Sequence, residues 1–190
     1  MIREEDILFD NKRQVIVLDK TINSHTNTKD VLSALEELFT KLNYTTVDRK
    51  GQYLVCANGN VRKNGWFNNP LKWENTFKFT ASEEQVRIEV EWSVENQLVS
   101  KFEKSFIINF LKKLTSDMQK GGFRPDEYHL LVSNITKKGR KMTLSILLGM
   151  LLPLIVFLPL AFYFDSILFI LLGVPLGAIV SYKYLIKKID

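Results

Sequence analysis

Between Lys141 and Lys183 the chain carries no base and a single acid, Asp165, within a run dominated by leucine, isoleucine, valine and phenylalanine. Few features restrict a fold more. A helix that is apolar all round has to be covered all round, and about 20 apolar residues at about 1.5 Å per residue match the hydrocarbon thickness of a bilayer. Residues 142–164 and 167–186 therefore predict two transmembrane helices joined by a tight turn at 165–166. The turn falls there because a charge at mid-bilayer is costly and Asp165 belongs at a surface.

The flanking bases predict an orientation. Lys137, Lys138, Arg140 and Lys141 precede the first span, while Lys183, Lys187 and Lys188 follow the second. All seven suit contact with anionic lipid headgroups, and the positive-inside tendency places both termini in the cytoplasm of a multi-pass protein of the cell inner (plasma) membrane. Small and proline positions, Ser145, Gly149 and Pro153 on the first span and Gly173, Gly177 and Ser181 on the second, form a candidate helix-packing seam, since residues four apart share a helix face.

The residues in front predict an α+β cytoplasmic domain, 1–124, followed by a basic juxtamembrane connector, 125–141; residues 187–190 form a short tail. Gln14 to Asp19 is an apolar, β-branched run and predicts a buried strand. Asn27 can cap a helix in which Val31, Leu35, Leu38, Phe39 and Leu42 share a face. A hairpin turning near Arg49 to Gly51 follows, and Asn58 with Gly59 offers a second turn. In a further hairpin Val86, Ile88, Val90, Trp92 and Val94 alternate with Arg87, Glu89, Glu91, Ser93 and Glu95. One face is core and the other wet, with Lys78 the expected partner for these acids. A long helix over about 97–118 carries Leu98, Phe102, Phe106, Phe110 and Leu114 at spacing four and ends at Gly121 and Gly122. A short helix starting at Pro125 leads into the connector, with a break expected at Gly139. The fold class read from this order is thus strand, helix, antiparallel strands and long helix, followed by a C-terminal two-helix transmembrane hairpin.

No chemistry-bearing constellation emerges. The chain has two histidines, His25 and His129, which stand far apart, and one cysteine, Cys56, which sits among apolar residues. Those numbers supply neither a metal ligand set nor a nucleophile beside a base, so neither enzymatic activity nor a metal or cofactor is expected. The glycines Gly59 and Gly65 lack the spacing of a phosphate-binding loop. The one unusual stretch is 60–73, where Arg62, Lys63 and Lys72 interleave with Trp66, Phe67, Leu71 and Trp73. Bases among aromatics suit headgroups, a captured ligand or, less well, single-stranded nucleic acid; the same rings could instead close the open end of the sheet. The net charge of +5 is modest and gives nucleic acid little support.

The function expected from these features is a non-catalytic binding or sensing domain presented at the inner membrane face. An alternative is a permeabilising effector whose hairpin oligomerises under control of the domain, and a third is a subunit of a larger membrane complex.

Overall fold

The computed structural model describes residues 3–10, 14–24, 27–60, 69–95, 99, 101–166, 168, 171, 175–176 and 179. They build two compact units, Met1–Ile135 and Thr136–Asp190.

The first unit is organised by alternation. Strand β1 (Ile7–Asp10) leads into β2 (Val15–Asn23), and helix α1 (Thr28–Lys41) follows. Strands β3 (Thr45–Lys50), β4 (Tyr53–Asn58), β5 (Asn75–Ala81) and β6 (Gln85–Ser93) then precede helices α2 (Lys101–Lys120) and α3 (Pro125–Tyr163). All strand pairs are antiparallel, and the six form one sheet in the order β1-β2-β6-β5-β4-β3. In β6 every second side chain, Val86, Ile88, Val90 and Trp92, is buried, as a sheet with one covered face requires.

The covering is done by two helices. Asn27 caps α1 by accepting a hydrogen bond from the Lys29 N–H at 3.1 Å, and the helix lays Val31, Leu32, Leu35, Leu38 and Phe39 on β3, β4 and β5. Helix α2 brings Phe106, Ile107, Phe110, Leu111 and Leu114 toward the β2 side. A run of aromatic contacts stitches these layers together: Phe39 to Phe77 at 4.8 Å between ring centroids, Phe77 to Trp92 at 5.7 Å, Trp92 to Phe110 at 6.1 Å and Phe110 to Tyr128 at 5.6 Å. Each such pair contributes about 0.5–1.5 kcal/mol beyond the area it buries. Trp92 also satisfies its indole by donating to the Pro70 carbonyl at 2.9 Å.

The C-terminal expectation needs correcting. Among the described residues no helix is long and apolar enough to cross a membrane. The finding overturns the two-span transmembrane hairpin and, with it, the multi-pass inner-membrane location built on that hairpin. Instead of a separate connector, a break and a first span, there is one helix, α3. It starts in the polar sequence at Pro125, passes through Gly139 without interruption and ends at Tyr163, so the apolar stretch is the second half of a mixed element. Beyond the turn at Asp165, whose φ is +47°, the expected second span contributes only the helical positions Leu168, Leu171, Pro175, Leu176 and Ile179 to the described residues.

Candidate binding face

Both helices that pack on the sheet lie against the same side, so the outward positions of its strands form a face that neither covers. Register decides which side chains meet there. Across β2 and β6, Val17 stands opposite Glu91, Asp19 opposite Glu89, and Thr21 opposite Arg87. Across β5 and β6, Thr76 faces Glu91, Lys78 faces Glu89, and Thr80 faces Arg87. The central strand β6 therefore presents Arg87, Glu89 and Glu91 in a row between two polar neighbours.

Arg87 orders this row. Its Nε and an Nη donate to the two Asp19 carboxylate oxygens at 2.9 and 2.6 Å, and the same Nη lies 3.0 Å from Glu89. A planar guanidinium meeting a carboxylate in two parallel bonds fixes orientation as well as charge. These hydrogen bonds hold the Asp19 carboxyl below its usual range and push the Arg87 guanidinium up. Both side chains are about half exposed, at 51% and 53%, so solvent screens the pair and it adds little to stability. Its consequence is geometric, a fixed charge pattern on an open surface. Lys78, the expected partner of these acids, stands beside Glu89 in register, yet among the described residues the ion pairs of the row are made by Arg87. Val17, Asp19, Thr76, Lys78, Arg87, Glu89 and Glu91 surround a shallow hollow of about 210 Å³.

A second cluster closes the corner between α2 and α3. The Tyr128 hydroxyl donates to Asp117 Oδ2 at 2.8 Å, and Lys113 Nζ reaches the same oxygen at 3.0 Å and Glu127 Oε2 at 2.5 Å. Lys113 also lies 4.9 Å from the centroid of the Tyr128 ring. Burial and the Asp117 charge push the Tyr128 phenol well up. Partial burial pulls the Lys113 ammonium down, but the hydrogen bonds from Glu127 and Asp117 outweigh it and its pKa is raised. The hollow beside this cluster is larger, about 690 Å³, and is bounded by Lys113, Lys120 and Arg124 together with Asp117 and Glu127. Because the Lys113 charge is already matched by two carboxylates, the cluster reads as a tie between helices and not as a receptor for an anion.

The residues singled out in the sequence are distributed differently. Of the aromatic and basic loop, Leu71 and Trp73 are core residues at 2% and 0% exposure, Lys72 is exposed, and Arg62, Lys63, Trp66 and Phe67 lie outside the described residues. Asn58 donates to the Leu71 carbonyl at 3.0 Å and Asn75 to the Trp73 carbonyl at 2.7 Å, which pins this segment to the end of the sheet. Lys137, Lys138, Arg140 and Lys141 are exposed on α3, and Lys183, Lys187 and Lys188 are outside the described residues. Ser145, Gly149 and Pro153 are helical positions of α3, whereas Gly173, Gly177 and Ser181 are outside, so the structure brings no seam together among the described residues. His129 is exposed on α3 and His25 is outside. Cys56 is fully buried, and burial pushes its thiol up to about 12.

No protein-family model, curated protein or solved structure matches the chain.

Sequence reading missed Asp19 and Tyr128. Asp19 was legible as the end of a strand, but its partner lies 68 positions away and only the β2–β6 register unites them. Tyr128 carried a weak signal, an aromatic just inside a proline-started helix, without any indication that Asp117 would lie beneath its hydroxyl.

Proposed function

We propose that the chain is a non-catalytic binding or sensing protein and that its recognition surface is the open face of the first unit's sheet. The observation that carries this reading is the ordered charge row Asp19, Arg87 and Glu89 beside a hollow on a face that neither α1 nor α2 covers. Arg87 is already committed to two acids, which leaves Lys78 and Glu91, on adjacent strands, as the donor and acceptor for an incoming group. A cation and an acceptor set diagonally across two strands suit a polar, peptide-sized ligand that offers both kinds of group, and holding the neighbouring guanidinium in place lowers the ordering cost of binding. The effector alternative relied on two spans, and the correction above removes its basis.

The reading is tested by fluorescence anisotropy with labelled short peptides of mixed charge, comparing the full chain with its Lys78→Glu and Glu91→Lys variants. Both substitutions fall on the solvated face, so folding should survive them. Binding that weakens by about tenfold or more in either variant supports the assignment. A peptide bound equally by all three proteins, or by none, contradicts it.

A further inference from the structure

The second unit carries an apolar strip with a regular spacing. Leu144, Leu148, Leu151, Ile155, Leu158 and Phe162 are all exposed, by 43% to 80%, and follow one another at intervals of four, three, four, three and four. That is the alternation by which one helix offers a seam to another, because it keeps side chains on one line along the helix. Past the turn, the described apolar positions Leu168, Leu171, Leu176 and Ile179 are exposed as well. A strip of this size left in water marks a contact surface.

Its charges say how a partner lies. The strip begins just after Lys137, Lys138, Arg140 and Lys141, all exposed, and ends just before Asp165, also exposed. Two copies side by side in the same direction would put the basic ends together. Turned antiparallel about a point near residue 153, Leu144 of one copy meets Phe162 of the other, Leu148 meets Leu158 and Leu151 meets Ile155. The same register sets Lys141 opposite Asp165 at both ends and brings the bases near the rings of Phe162 and Tyr163, where a cation is attracted to an aromatic face. Apolar and charged positions agree on one alignment, which is the self-complementarity a two-fold interface requires. We infer that the second unit associates with a second copy of the chain as an antiparallel helix pair centred near residue 153.

The test mixes two full-length variants, Leu144→Cys and Phe162→Cys, under mild oxidation. The native Cys56 is fully buried and should not compete. A disulfide joining the two different variants, formed at least about tenfold faster than either variant joins itself, is expected. Sedimentation equilibrium of the unmodified chain should give a dimer, and Ile155→Asp should weaken it by about tenfold or more. Preferential self-linking of Leu144→Cys would overturn the antiparallel register. A monomer in sedimentation with no cross-link, including a monomer that instead floats with vesicles rich in anionic lipid, would overturn the inference as a whole.

Discussion

At the scale of single residues, the structure separates side chains that hold the fold from those that face outward. Tyr128 and Lys113 both serve a nearly buried Asp117, but not equally. Removing the hydroxyl in Tyr128→Phe leaves Asp117 its ammonium partner and should cost about 1–2 kcal/mol. Lys113→Met leaves Asp117 its Tyr128 hydrogen bond but removes the charge that neutralises it, and should cost more, about 2–3 kcal/mol. Urea unfolding midpoints of the two variants would check the order. Cys56 makes a simpler prediction: with its thiol pushed up to about 12, a thiol reagent at pH 8 should label the native chain negligibly and the denatured chain fully. Acid provides a third. Hydrogen bonding to Arg87 lowers the Asp19 carboxyl from 3.8, and bonding to Lys113 lowers Glu127 from 4.5. A folded pKa below the unfolded one means stability present above the unfolded value and lost as pH falls through the folded one. Stability should therefore decline from about pH 4.5 downward, and the decline should be shallower in Asp19→Asn with Glu127→Gln than in the unmodified chain.

At the scale of elements, the most legible parts were those specified by local pattern. The Asn27 cap, the apolar face of α1 and the alternating hairpin of β5 and β6 each follow from spacing within a dozen residues, and each forms as the spacing requires. What was not legible depended on distant partners. Strand β1, Ile7–Asp10, pairs with β2 along its whole length, and its four residues are too short a run to show an alternation of their own. The turn after β4 shows how a single residue sets an element's end. Gly59 has φ +84°, and a side chain there would overlap the Trp73 carbonyl, whereas Gly51 has φ +51° and open space around it. Alanine at Gly51 should cost about 1 kcal/mol through backbone strain alone, and alanine at Gly59 about 3 kcal/mol or more because the segment under Trp73 must also shift. Thermal midpoints of the two variants would show the difference. Edge strand β3 shields itself in another way. Its register slips between Thr46 and Asp48, and Asp48, Arg49 and Lys50 charge the strand, which discourages a further strand from adding there.

At the scale of the whole molecule, the sequence misled where composition was strongest. An uninterrupted apolar run was read as a pair of spans because length and hydropathy outweigh every local signal in such a stretch. The structure instead joins its first half to a polar helix start, which no composition window reveals. The candidate site escaped for the opposite reason. Arg87, Glu89 and Glu91 were correctly placed on a solvated face, but alternation alone cannot say that Asp19 joins them or that a hollow forms beside them. Recognition by the sheet requires that face to be both open and able to hold a ligand. Carbodiimide labelling of carboxylates in the full chain, read by mass spectrometry with and without a mixed-charge peptide that binds, tests this most directly. Glu89 and Glu91 should react readily in the free chain and be protected by the peptide, while Glu37 on α1, two-thirds exposed, should react equally in both. Protection on α1 with none on β6, or a face already closed to the reagent in the free chain, would contradict recognition by the sheet.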